Sequence, residues 1–123
     1  MSNFVTMRKA GGFYSVFDED AIIINYLCNY KITNGRCGFP VNSLDKVISI
    51  LEDNSISYIV KENMDDNIKK DYKKINKYNN ILEKGKKKNK IDYRIGSIIN
   101  KIRKLDTSKL NNLLDIIEKY LDE

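Results

Sequence analysis

The sequence predicts an α/β domain, a mixed sheet of about five strands with flanking helices, followed by a helical C-terminal tail. Three observations lead there. Residues 13–17 (FYSVF) and 56–60 (ISYIV) are aromatic or β-branched, the composition of strands. Residues 21–28 and 44–53 place apolar side chains at helical spacing between such runs. After residue 63 the spacing changes to three stripes that step by three or four: Ile68, Tyr72, Ile75, Asn79 and Leu82; Ile91, Ile95, Ile98, Ile102 and Leu105; Leu110, Leu113, Leu114, Ile117 and Leu121. The expected division is an α/β domain over residues 1–63 and a basic helical extension over 64–123.

Taken in order, residues 3–8 (NFVTMR) predict a short strand, and Gly11-Gly12 a turn into a second strand over 13–17. Asp18 is the expected N-cap of a helix running to Cys28, with Glu19 and Asp20 in its first turn, where carboxylates complement the helix dipole. Residues 30–33 predict a third strand, Asn34-Gly35 a tight turn, and Arg36 to Phe39 a fourth strand ended by Pro40. Asn42 or Ser43 is expected to cap a helix from Leu44 to Asp53, with Leu44, Val47, Ile48 and Leu51 on one face. Residues 56–60 predict a fifth strand. Gly85, within KGKKKNK, is expected to mark a loop between the first two tail helices, and Thr107 or Ser108 to cap the third.

The chain of 123 residues suffices for one compact domain, and its 41% apolar content supports a real core. No apolar run approaches the roughly 18 residues of a membrane helix. The N-terminus lacks a basic stretch followed by an apolar core, so the expected location is the cytoplasm, away from membranes. There is no histidine, which excludes Cys-His and Ser-His-Asp chemistry within the chain. Cys28 and Cys37 match no zinc spacing and are expected to be reduced and mostly buried. No cofactor or metal is expected. Asp18, Glu19 and Asp20 are consecutive and so fan out around a helix, an arrangement unsuited to a metal-dependent nuclease. No catalytic residue is assigned.

The net charge is +5. The chain is rich in Lys, Asn and Ile, all served by A/T-rich codons, so base composition accounts for part of that excess. Its distribution says more. Residues 1–63 carry a net of −1, residues 64–104 a net of +9, and residues 105–123 a net of −3. Lys84, Lys86, Lys87, Lys88 and Lys90 could grip phosphates with a steep salt dependence. Lys69, Lys70, Lys73, Lys74 and Lys77 would extend that basic surface along a helix.

Residues 3–62 resemble the N-terminal mismatch-recognition domain of MutS, the DNA mismatch-repair protein. The resemblance rests on two motifs in register. That domain carries a Gly-Asp-Phe-Tyr-Glu turn and strand, then a Phe and an acidic helix start ending in Ala; here the chain reads Gly11-Gly12-Phe13-Tyr14-Ser15-Val16-Phe17-Asp18-Glu19-Asp20-Ala21. Its second landmark is a Gly-aliphatic-Pro motif entering a helix, here Gly38-Phe39-Pro40-Val41-Asn42-Ser43-Leu44.

The resemblance implies that Phe13 is the ring that wedges into the duplex from the minor groove and stacks on a mispaired base, where unstacking is cheapest. It implies a partly exposed Phe13 at a turn-to-strand junction, with Phe17 expected to be buried. Ser15 stands where the family has a Glu that bonds the mispaired base, and a hydroxyl reproduces neither that contact nor the carboxylate's repulsion of normal duplex. Gly12 replaces an Asp, and Asn42 stands where the family often has His. The family's connector, lever, clamp and ATPase domains have no room in this chain, and no Gly-x-x-x-x-Gly-Lys-Ser/Thr loop is present.

The function expected from these readings is a small non-enzymatic DNA-binding protein, a detached reader domain with a helical tail. The candidate DNA contacts are Phe13, Ser15, Arg8, Lys9, Lys84, Lys86, Lys87, Lys88 and Lys90, and the partner is duplex DNA, mismatched DNA included. The alternative is a protein-interaction module, such as a mobile-element inhibitor or accessory factor, that keeps the fold as a scaffold and uses the tail seams for a protein partner or self-association.

Overall fold

The computed structural model describes residues 3–62 and 67–122. It divides into two compact units, residues 1–88 and residues 89–123. The first holds a six-stranded mixed sheet in the order β3-β4-β2-β1-β5-β6. The strands are β1 (Val5–Ala10), β2 (Phe13–Phe17), β3 (Ile32–Thr33), β4 (Arg36–Pro40), β5 (Tyr58–Lys61) and β6 (Asn67–Lys70). All neighbours are antiparallel except β1 and β5, which run parallel with Val5 opposite Tyr58.

Strand alternation divides the sheet into two unlike faces. Val5 and Met7 of β1, Tyr14 and Val16 of β2, Cys37 and Phe39 of β4, and Tyr58 and Val60 of β5 are all buried. They form one core with Ala21, Ile23 and Ile24 of α1 (Asp18–Cys28) and Val47 and Leu51 of α2 (Leu44–Asp53). Both helices therefore cover the same face. Tyr14 and Tyr30 each stack on Phe39, with ring centroids 5.7 and 5.6 Å apart. The other face carries the intervening residues, and most of these are exposed.

The turns follow from local chemistry. Gly11 has φ +63° in the β1–β2 turn, a value glycine adopts without strain. Asn34 and Gly35, with φ of 53° and 72°, make the tight turn expected of that pair between β3 and β4. Asn29 ends α1 in the left-handed conformation and donates its N–H to the Asn25 carbonyl. Phe17, in extended backbone, occupies the N-cap position of α1, and no side chain caps it. Asp18 therefore does not serve as the expected cap. Pro40 leads into a 3₁₀ turn over Val41–Ser43 before α2; Ser43 precedes that helix, and neither Asn42 nor Ser43 caps it through its side chain.

The largest departure from the sequence reading lies past residue 66. The stripe beginning at Ile68 is not one helix. Residues 67–70 form β6, antiparallel to β5, and Lys73–Ile75 make a 3₁₀ turn. The physical reason is an unpaired strand edge. β5 has backbone groups left over beyond β1, and a following segment that satisfies them gains more than an isolated helical turn would. Asn76 then anchors the chain. Its Oδ1 accepts from Ser57 N (3.0 Å) and Tyr78 N (3.2 Å), and its Nδ2 donates to the Asn3 carbonyl (2.7 Å).

Only at Tyr78 does α3 (Tyr78–Ile102) begin. Gly85 lies inside it rather than in a loop. It is buried, and a Cβ there would come 2.7 Å from Ile22 Cγ2 and 3.3 Å from the Ile22 carbonyl oxygen of α1. The glycine permits this close helix contact. Tyr78, Ile81 and Leu82 join the core of the first unit.

The second unit contains the rest of α3 and α4 (Thr107–Leu121). Asp106, one residue before the expected cap, caps α4 by accepting from Lys109 N at 2.9 Å. Among its described residues no side chain is fully buried, while Ile95, Ile98, Ile116 and Leu121 are all more than half exposed. No described helix is long and apolar enough to cross a membrane.

Candidate nucleic-acid interface

The open sheet face is built from three cross-strand rows. Ala10, Phe13 and Pro40 form one, Arg8, Ser15 and Gly38 the next, and Phe17, Arg36 and Thr33 the third. Because side chains alternate, Phe13, Ser15 and Phe17 of β2 point the same way, while Tyr14 and Val16 point into the core. Phe13 is 53% exposed, directly after the Gly11-Gly12 turn. Gly12 fixes that turn by accepting from Val41 N at 3.0 Å through its carbonyl. Tyr14 is buried, and its hydroxyl donates to Glu62 at 2.9 Å. Burial, and then the Glu62 carboxylate, push the Tyr14 phenol up to about 12.

Phe17 was expected in the core and is instead 47% exposed. The correction follows from the strand period. A residue four positions from Phe13 on one strand faces the same side, so both rings stand on the open face. Ser15 lies between them and is buried beneath Arg36, whose Nη2 and Nε donate to Ser15 Oγ at 2.8 and 3.1 Å. The position thus presents a guanidinium where the resembling family presents a carboxylate.

Two hollows flank Phe17. One, of about 430 Å³, is lined by Phe17, Lys31, Thr33, Asn34, Arg36 and Gly38. The other, of about 360 Å³, is lined by Phe17, Thr6 and Arg8 together with Asp18, Glu19, Asp20 and Tyr78. Phe17 therefore separates a basic pocket from an acidic one. Asp20 is a structural tether within the second: it accepts from Thr6 N at 3.1 Å and from the Tyr78 hydroxyl at 2.5 Å. Burial raises the Asp20 carboxyl above its ordinary range, although both of these bonds act the other way. The Tyr78 phenol is raised as well, first by burial and then by Asp20. No cluster of metal-ligating side chains occurs among the described residues. Cys28 and Cys37 are free thiols held up at about 11, chiefly by burial, and so protonated at neutral pH.

Of the sequence-selected contacts, Arg8, Phe13 and Ser15 share the open face. Lys9 stands opposite Tyr14 and so belongs to the alternate side of β1. Lys84, Lys86, Lys87 and Lys88 lie on α3 beside α1, where Lys86 pairs with Glu19 at 3.2 Å. Lys90 belongs to the second unit. Arg36, Lys31 and Phe17 also stand at this face, and the sequence does not mark them as DNA contacts. The even spacing of 13, 15 and 17 was the available signal for Phe17. Arg36 needed the pairing of β2 with β4, which no local pattern reveals.

These elements match one known domain. A family model described as MutS domain I matches residues 1–102, while no curated protein matches the chain. The match runs from the first strand through the end of α3 and takes in the whole sheet. It also includes both helices on the sheet's covered face, the glycine turn that delivers Phe13, and the Gly38-Phe39-Pro40 approach to α2. On that extent of agreement, the chain belongs to the MutS domain I family.

Proposed function

We propose that the chain is a small DNA-binding protein that performs no catalysis itself and reads DNA with the open sheet face. Phe13 acts as a minor-groove wedge, and Arg8, on the same face, supplies a phosphate contact. The observation that carries this reading is the opposite fate of two adjacent rings. Tyr14 is 2% exposed and locked in the core, whereas Phe13 is 53% exposed at the tip of a glycine turn. An exposed ring on a rigid strand can enter a base step without reorganising the protein. Insertion costs least where pairing is already weak.

Titration of labelled perfect duplex, mismatched duplex and single strand at two salt concentrations tests the reading. Phe13→Ala should weaken binding by roughly 1–3 kcal/mol, the scale of one lost base–aromatic stack. Undiminished binding by that variant would retire the wedge.

A second reading has its own observation. Residues 89–123 leave Ile95, Ile98, Ile116 and Leu121 more than half exposed on two helices. Apolar residues in that number on helices without a buried core suit association with a second copy of the chain or with a protein partner.

A further inference from the structure

We infer that the hollow between Phe17 and Lys31 is a binding site for one unpaired nucleotide of a single DNA strand, with the base on the Phe17 ring and its phosphate between Lys31 and Arg36. The inference rests on the DNA-binding reading and deepens it by naming a second subsite beside Phe13. The observations below carry it.

The hollow's volume of about 430 Å³ is in the range of small-molecule sites. One wall is aromatic and nearly half exposed, and every base offers a π-face to such a ring. The lining side chains include two cations, a hydroxyl and an amide, and no carboxylate. Arg36 is also pre-organised. Its two bonds to Ser15 fix the guanidinium over that residue and leave its other N–H donors for a phosphate or base edge. Gly38 adds the floor: among the described residues, the one atom within 4 Å of a Cβ there would be the Tyr14 carbonyl oxygen, 3.7 Å away.

The acidic hollow on the other side of Phe17 gives the site a direction. Asp18, Glu19 and Asp20 line that hollow beside a single cation, Arg8, whereas the Lys31 side has two cations and no lining carboxylate, so a phosphate chain is favoured on the Lys31 side. Phe13 and Phe17 stand four residues apart on one strand, roughly 13 Å at the usual rise per residue. That span suits an extended single strand laid across both rings.

The test uses the full chain and three probes: a single-stranded 15-mer, the same sequence as perfect duplex, and a 15-mer of abasic backbone. Phe17→Ala should weaken single-strand binding roughly tenfold, the scale of one lost stack, and change duplex binding less than about twofold. Lys31→Gln, at an exposed position, should weaken single-strand binding and lower its salt dependence by about one phosphate contact. The abasic backbone, which can stack on neither Phe13 nor Phe17, should bind the native chain more weakly than the 15-mer binds Phe17→Ala. Thermal melts of both variants should match the native chain. Equal losses on single strand and duplex, or no loss from either variant, would overturn the site. If Phe13→Ala still weakens DNA binding in that case, the wedge reading survives alone. Failure of the native chain to bind any probe overturns both.

Discussion

Arg36 stands opposite Phe17 on β4 yet bonds diagonally to Ser15 of β2, through Nη2 at 2.8 Å and Nε at 3.1 Å. One cation is thereby fixed between two exposed rings. This arrangement reverses the local charge of the family motif and leads to the first prediction. Ser15→Glu would place a carboxylate within reach of Arg36 and neutralise it. Affinity for all DNA should fall, and the salt dependence of binding should drop by about one phosphate contact. Anisotropy titrations at two salt concentrations check this, and an unchanged slope would contradict it.

Phe13 and Tyr14 should respond to truncation in opposite ways. Phe13→Ala removes an exposed ring and should alter stability by less than about 0.5 kcal/mol. Tyr14→Ala removes a buried ring stacked on Phe39 and should cost about 3–5 kcal/mol. Urea denaturation of both variants gives the comparison. A large loss for Phe13→Ala would place its ring in the core.

Gly85→Ala should destabilise the chain even though alanine is the better helix former by about 1 kcal/mol. The added methyl meets Ile22 Cγ2 at 2.7 Å and must displace α1 or α3. A net loss of about 1–2 kcal/mol is expected. Ile22→Ala in the same chain removes the clashing atom, so the double variant should be less destabilised than the two single losses added. Strict additivity would show that this contact is not the cause.

Asp20 makes stability depend on pH in an unusual direction. Its folded pKa is raised above the ordinary 3.8, so the folded state holds its proton more tightly than the unfolded chain does. Stability from this group is therefore full below 3.8, falls as pH rises through the raised folded value, and stays reduced above it. Melts of the native chain and Asp20→Asn from acid to neutral pH isolate the effect. The native chain should lose ground relative to the variant as pH rises through that window. A gap that widens in favour of the native chain would reverse the sign.

The unit boundary near residue 88 predicts the effect of shortening the chain. A chain ending at Lys88 retains all six strands and the buried Tyr78, Ile81 and Leu82, and should keep a cooperative melt. It should also lose any self-association seen by light scattering in the full chain. A chain ending at residue 63 lacks β6 and those three core residues and should be markedly less stable. Equal melts for the two truncations would contradict this account.

By itself the sequence determined what depends on neighbours along the chain. The strand at residues 13–17, the Asn34-Gly35 turn, both helices on the sheet, and the exposed Phe13 follow from spacing, turn chemistry and the two motifs. Only the tertiary structure decided the rest. Residues 67–70 carry a helical stripe yet pair with β5, because an open strand edge offers backbone partners that local propensity does not register. Gly85 reads as a loop residue until Ile22 is found against it. Arg36 reads only as the first residue of a strand until β4 lies beside β2 and brings it over Ser15, 21 residues away in the chain. Propensity and periodicity act within a few residues, whereas the site is assembled by pairing between distant strands, whose cost and reward are settled only when the whole sheet forms.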